Sequence, residues 1–263
     1  MKNFLKEIVE HKKELVRRHK EEVPVEDLCS LMGDVYAPSR FAGTIAQGGI
    51  HLIAELKKAS PSAGLLRADY EVTPIAQAYE KAGASCLSVL TEDKFFQGTL
   101  ADLDEVKQAS LLPVLRKDFI IDEYQLYQSK AHGADAVLLI ASILEPCELK
   151  HFLKVCHKLK LDVVTEVHTT PQLKEALEAG ASVIGINARS LTDFYVDLKI
   201  LPSLIKEIPK DKLIICESGV KTLEDLQLIK DLRPNAVLVG EGLIKGADVF
   251  SVTKSFVDSL KAL

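Results

Sequence analysis

Two opposite charges interrupt an otherwise apolar run in Leu52-Ile-Ala-Glu-Leu-Lys-Lys-Ala-Ser-Pro-Ser-Ala-Gly64. Residues two apart in a strand share a face, so Glu55 and Lys57 point the same way. A charge on a buried face is costly unless it is paired or meets a polar ligand. The stretch therefore admits two readings: an ion pair closing a strand, or the mouth of an active site. The turn that follows ends the strand and opens a loop, with Ser60 and Pro61 at its start.

Similar residues recur after later apolar runs, in Arg116-Lys117-Asp118-Phe119, Thr165-Glu166-Val167-His168 and Gly185-Ile-Asn187-Ala-Arg189. A lysine ammonium binds a carboxylate or protonates a carbonyl. A partly buried glutamate has a raised pKa and acts as a base nearer neutrality. Lys57, Lys117, Glu55, Glu166 and Asn187 together suit condensation or dehydration at a ketone carbon. Ser218-Gly219 and Gly240-Glu241-Gly242 follow the last two runs, and glycine there lets backbone N–H groups approach phosphate oxygens. Glu241 would offer its amide and turn its carboxylate away. Phe95, Phe96 and Phe119 supply walls for an aromatic substrate. His168 reads as a loop residue or a cap of the next helix. The bland alternative is two structural salt bridges, Glu55 with Lys57 or Lys117 and Glu166 with Arg189.

The elements that must position these residues form one repeat. Apolar runs at 52–56, 86–90, 113–115, 136–140, 162–167, 183–186, 213–216 and 236–239 predict eight strands. Amphipathic stretches such as 74–82, 123–132, 146–160, 171–179 and 223–230 predict helices between them. Ala82-Gly83-Ala84, His132-Gly133-Ala134 and Ala179-Gly180-Ala181 place glycine one step past a helix, as a left-handed cap. Near-continuous apolar strands alternating with helices mean a parallel sheet covered on both faces, and eight units match a closed (β/α)8, or TIM, barrel. An open doubly wound sheet is disfavoured, because no Gly-x-Gly-x-x-Gly follows the first strand. The active site of such a barrel lies at the carboxyl ends of the strands, where these charged residues fall, and phosphate is commonly held after strands seven and eight.

Residues 1–50 read as a helical extension and 51–263 as the barrel, one domain in all. The helical spacing of Phe4, Leu5, Ile8, Val9, Leu15 and Val16 predicts an amphipathic helix to about residue 22, ended by Val23-Pro24. Breaks are expected at Pro38-Ser-Arg-Phe-Ala-Gly43 and Gly48-Gly49. The basic cluster from Lys12 to Lys20 reads as a solvated helix face.

A net charge of -5 over 263 residues argues against nucleic-acid or anionic-membrane binding. The five cysteines, Cys29, Cys86, Cys147, Cys156 and Cys216, form no Cys-x-x-Cys pair and imply no disulfide framework. Cys147 and His151 share a helix face, but two ligands do not make a metal site. The first residues lack a signal-like apolar core, and no run reaches membrane-span length. A soluble, cytoplasmic protein is expected, a monomer or weak homodimer.

Several of these segments resemble the indole-3-glycerol-phosphate synthase family. They are Ile53-Ala-Glu-Leu-Lys-Lys-Ala-Ser-Pro-Ser62, Ser88-Val-Leu-Thr91 with Phe96-x-Gly98, and Pro113-Val-Leu-Arg-Lys-Asp-Phe119. Thr165-Glu-Val-His168, Ile184-Gly-Ile-Asn-Ala-Arg189, Glu217-Ser-Gly219 and Val237-Leu-Val-Gly-Glu241 complete the series in family order. The resemblance implies a lyase of tryptophan biosynthesis. Its substrate is 1-(2-carboxyphenylamino)-1-deoxyribulose 5-phosphate, cyclised to indole-3-glycerol phosphate with loss of carbon dioxide and water. No metal or organic cofactor is implied. Carried over by motif, Lys117 is the general acid, Glu166 the general base, and Lys57 holds the anthranilate carboxylate. Glu55 and Asn187 orient these groups. Ser60, Pro61, Phe96, Phe119, Arg189 and Glu217 contact substrate, while Ser218, Gly219, Gly240 and Glu241 hold the phosphate. Ala188, Ser190 and Gly242 depart from the family pattern. A sugar-phosphate isomerase of related barrel type is a rival, but Cys86 and Cys216 lie inside strands with no matching carboxylate. A non-catalytic phosphate-binding barrel is another, with little use for Lys57, Lys117 and Glu166 together.

Overall fold

Strand runs such as Ala136-Val-Leu-Leu-Ile140 are apolar at every position and buried at every position, as a sheet covered on both faces requires. In the computed structural model, which describes residues 4–32, 39–191 and 194–262, eight parallel strands close into a barrel. They are β1 (His51–Leu56), β4 (Cys86–Leu90), β5 (Val114–Lys117), β6 (Ala136–Ile140), β7 (Asp162–Val167), β8 (Val183–Asn187), β9 (Leu213–Glu217) and β10 (Ala236–Val239). Each pairs with the next, and β10 pairs back onto β1. A small antiparallel hairpin, β2 (Ala59–Ser60) with β3 (Gly64–Leu65), follows β1. The expected (β/α)8 barrel is therefore observed. Three strands run further than their apolar cores: β5 includes Lys117, β8 includes Asn187 and β9 includes Glu217. The polar residues expected just after those strands are thus held by the barrel's own hydrogen-bond ladder.

The outer layer consists of α4 (Val72–Ala82), α5 (Leu100–Ala109), α6 (Tyr124–Ala131), α7 (Pro146–Lys158), α8 (Thr170–Ala179), α9 (Ile200–Ile205), α10 (Leu223–Lys230) and α12 (Val249–Lys261). Their apolar faces pack on the outside of the strands in one large cluster, while Ile53, Leu115, Leu138, Ile140, Val164 and Leu238 belong to a second, interior cluster. Gly83 and Gly180 cap α4 and α8 at φ 94° and 98°, a conformation that costs a side-chain-bearing residue energy. Gly133 also has positive φ, one residue past the His132 cap of α6.

The extension supplies both ends of the barrel. Helix α1 (Phe4–Glu22) sends Ile8 into the interior cluster beside Phe119, at the carboxyl end of the strands. A short helix α2 (Val25–Leu31) follows. The break expected across residues 38–43 is instead the start of α3 (Phe41–Ile45), and Pro38 lies outside the described residues. Phe41 and Ile45 are fully buried in the interior cluster. Asp162, at the start of β7, accepts hydrogen bonds from Ser39 Oγ (2.6 Å) and Ala42 N (2.8 Å). The apolar pair therefore closes the amino-terminal end of the barrel, which explains why glycine at 43 does not break the turn.

Candidate functional site

Every barrel strand runs the same way, so the polar residues at their carboxyl ends converge on one cleft of ≈ 940 Å³ including its open mouth. Glu55, Lys57, Lys117, Glu166, Asn187 and Arg189 line it, with Ser218, Gly219, Gly240 and Glu241. Ser60, Pro61, Phe96 and Phe119 form part of the wall, and Leu138, Ile140 and Leu238 the apolar floor. Of the expected site residues, Phe95 and Glu217 are not brought to the cleft wall: Phe95 packs edge-on against Phe4, ring centroids 6.2 Å apart. Glu217 is fully buried and its carboxylate engages the Lys117 ammonium, so it works from behind that lysine.

The charges are arranged as a ring of pairs. Lys57 Nζ lies 2.6 Å from Glu55 Oε1. Lys117 contacts Glu217 and stands 3.8 Å from Glu166 Oε2. Burial pulls the Lys117 pKa down, but Glu217, Glu166 and Glu55 outweigh it and hold the ammonium above its ordinary value. Burial would raise the Glu55 carboxyl; Lys57 and Lys117 reverse this and hold it below its ordinary range. The carboxylate with a raised pKa is Glu217, pushed up to about 7 by burial, with Lys117 opposing and Glu166 reinforcing. The Glu166–Arg189 bridge of the bland reading does not form; Arg189 instead faces Glu241 Oε2 at 3.8 Å.

Two glycines are fitted to these carboxylates. A Cβ at Gly240 would stand 2.3 Å from Glu55 Oε1 and 3.2 Å from Lys57 Nζ. One at Gly185 would stand 2.2 Å from Glu217 Oε1. At the far wall, Ser218 and Gly219 have φ of 67° and 87°, consecutive left-handed residues that make a tight turn after β9. Gly240 begins the short α11 (Glu241–Ile244). Turns after the seventh and eighth barrel strands with a short extra helix are where barrels bind phosphate. The Glu241 carboxylate pairs with Lys245 at 2.7 Å and Lys221 at 3.6 Å as well as facing Arg189. Both Lys221 and Arg189 line the cleft, so the carboxylate stays among cleft residues instead of turning away.

Sequence reasoning missed the supports. Glu92 is fully buried and accepts from the backbone N–H groups of Lys94 (3.1 Å), Phe95 (2.7 Å) and Phe96 (2.9 Å), which sets Phe96 on the cleft wall. Lys12, read as part of a solvated face, is 1% exposed and reaches Asp118 Oδ1 at 2.9 Å. Asp118 also takes Arg116 (3.0 Å) and Thr91 Oγ1 (2.7 Å). Burial alone would raise the Asp118 carboxyl; Lys12 and Arg116 bring it down to about 2. Leu191, Phe194 and Lys221 also line the cleft. His168 does not cap the next helix: Thr169 does, accepting from Gln172 N. Among the described residues, one group has metal-ligand spacing, His11, Glu92 and Asp93. It is taken already, Glu92 by three backbone amides and Asp93 by His11 at 3.0 Å and Lys12 at 3.6 Å.

The sequence profile of indole-3-glycerol phosphate synthase matches residues 5–256. The chain belongs to this family. The indole-3-glycerol phosphate synthase of Caldanaerobacter subterraneus subsp. tengcongensis is 47% identical over 242 residues, covering 92% of this chain and 93% of that protein. That of Thermoanaerobacter pseudethanolicus is 45% identical over 257 residues, 98% of each chain. Among solved structures, thiamine phosphate pyrophosphorylase from Pyrococcus furiosus superposes with a TM-score of 0.63 at 15% identity, covering 81% of this chain and 96% of that one. KGPDC from Streptococcus mutans gives 0.64 at 15% identity, covering 81% and 98%. At that identity both speak for the barrel fold alone. Family membership makes the chain a carbon–carbon lyase of tryptophan biosynthesis, closing the indole ring with loss of carbon dioxide and water. The isomerase and non-catalytic readings are not favoured. No helix among the described residues is long and apolar enough to cross a membrane.

Proposed function

We propose that this cleft binds 1-(2-carboxyphenylamino)-1-deoxyribulose 5-phosphate across its width, phosphate at the 218–219 and 240–241 turns and the aromatic ring between Phe96 and Phe119. The observation that carries this reading is that Lys57, Lys117, Glu55 and Glu166 line one cavity, with the glycine turns on the same rim. In this assignment Lys57 and Arg189 hold the anthranilate carboxylate, and Ser60 and Pro61 close the loop over it. Lys117 protonates the ketone oxygen as the ring carbon attacks. Its raised pKa keeps it cationic at neutral pH, so the proton to be donated is in place. Carbon dioxide leaves as the ring regains its aromatic electrons, and Glu166 takes the proton released in the dehydration that follows. Glu55, kept ionised, orients Lys57, and Asn187 faces the hydroxyl being lost. The Asn187 Oδ1 already accepts from Arg189 N at 3.0 Å, leaving its amide N–H₂ for substrate.

The deciding experiment is a direct assay with that substrate, following the rise of indole absorbance and release of carbon dioxide. Folded protein that produces neither would overturn the assignment. We place the enzyme in the cytoplasm, which suits its buried free thiols Cys86, Cys156 and Cys216; fractionation of expressing cells tests that placement.

A further inference from the structure

Beyond the residues lining the cleft, one side chain stands against the proposed base. His168 Nε2 lies 3.5 Å from Glu166 Oε1, and among the described residues neither buried atom has a hydrogen-bond partner. Two buried polar atoms left open toward each other are uncommon, because each forfeits its hydration. The distance is at the outer edge of a hydrogen bond, and catalytic contacts in a ligand-free site are often long and tighten on binding. The histidine is not free to drift. Its backbone N–H donates to Gln172 Oε1 at 2.7 Å, on the first turn of α8, and Thr169 caps that helix. The main chain of His168 is thus fixed at the start of α8, with Nε2 turned toward Glu166.

Glu166 is bracketed by groups from several elements. Its Oε2 faces the Lys117 ammonium of β5 at 3.8 Å, the Glu217 carboxylate of β9 repels it from behind that lysine, and its Oε1 faces His168. A carboxylate held by only one oxygen rotates about its last bond, and a base must present a lone pair in a fixed direction. We infer that His168 is a positioning residue for Glu166: Nε2 donates a hydrogen bond to Oε1 when substrate is bound, which leaves Oε2 as the atom aimed at the reacting proton. The inference rests on Glu166 as the base.

Its test compares His168→Asn, His168→Gln, Glu166→Gln and the double variant Glu166→Gln/His168→Asn. The glutamine amide nitrogen reaches about as far as imidazole Nε2, whereas the asparagine amide stops short of it. General-base catalysis contributes about 10²–10⁴-fold, and a misaimed base forfeits part of that, so His168→Asn should lower kcat about tenfold with KM little changed. His168→Gln should recover most of the loss. In the Glu166→Gln background His168→Asn should cost nothing further, because residues that act through one another are not additive. Thermal melts confirm that each variant is folded. A His168→Asn enzyme with wild-type kcat, a glutamine variant no better than the asparagine one, or losses that multiply in the double variant would each overturn the inference. Wild-type turnover in Glu166→Gln would remove the base assignment itself, whereas an impaired Glu166→Gln with multiplying losses removes only the role of His168.

Discussion

At the scale of single residues, the proposed acid Lys117 sits among Glu217, Glu166 and Glu55, while the proposed base Glu166 feels both the Lys117 ammonium and the Glu217 carboxylate. Lys117 is ringed by carboxylates, so replacing it with alanine removes the ammonium proposed above to protonate the ketone. Lys117→Ala should lower turnover by at least about 10²-fold, while calorimetry still detects binding of a phosphate-bearing product analogue. Near-normal turnover would remove Lys117 from its role. Glu166→Gln keeps the shape of the base without its basicity, so the ring should still close and a dihydroxy intermediate should accumulate, visible by quenched-flow chromatography. Glu217 adds a dependence on pH. Its pKa of about 7 means it is protonated below that value and ionised above it. Only the ionised form pairs with Lys117, so kcat/KM, which reports free-enzyme ionisations, should fall as pH drops below about 7. In Glu217→Gln that acid limb should flatten; an unchanged limb would assign it to another group.

At the scale of elements, the sequence was most readable where strands end. Period-two and continuous apolar runs betray strands, and the charges at their carboxyl ends could be gathered because parallel closure brings such ends together. Lys117, Asn187 and Glu217 are the last residues of β5, β8 and β9, a boundary that the apolar runs alone place a few residues earlier. Helix α3 was hidden because Gly43 and the nearby glycines carry turn chemistry, while the burial of Phe41 and Ile45 that overrides it is a tertiary effect. Gly240 shows the same limit. Read as a phosphate turn, it also makes room for Glu55, at a negative φ of −118°. The Cβ of Gly240→Ala would meet the flexible ends of Glu55 and Lys57, at 2.3 Å and 3.2 Å, so folding should survive. The carboxylate must then move, and a misplacement near 1 Å costs about 10²-fold. We expect kcat/KM to drop by that order with an unaltered melting temperature. A variant that loses stability instead would show that the turn, and not Glu55, needs the glycine.

At the scale of the whole molecule, the catalytic face is tied to the amino-terminal helix through one buried ammonium. Lys12 comes from α1, its partner Asp118 sits between Lys117 and Phe119, and the two are 106 positions apart in the chain. No charge pattern along α1 distinguishes Lys12 from Lys13, which pairs with Glu10 on the surface at 2.9 Å; only the docked helix does. Breaking a buried pair costs about 3–5 kcal/mol, and Arg116 remains to serve Asp118, so Lys12→Met should lose about 3 kcal/mol in urea unfolding at pH 7. The sign of its pH dependence follows from Asp118, whose folded pKa of about 2 lies below the ordinary 3.8. Such a group stabilises the fold fully above its unfolded pKa, by about 2 kcal/mol here, and that contribution fades as pH falls from about 4 toward 2. The gap between wild type and Lys12→Met should therefore narrow over this same acid window. A gap that stays constant down to pH 2 would mean that the lysine stabilises α1 by packing its methylenes and not by neutralising Asp118.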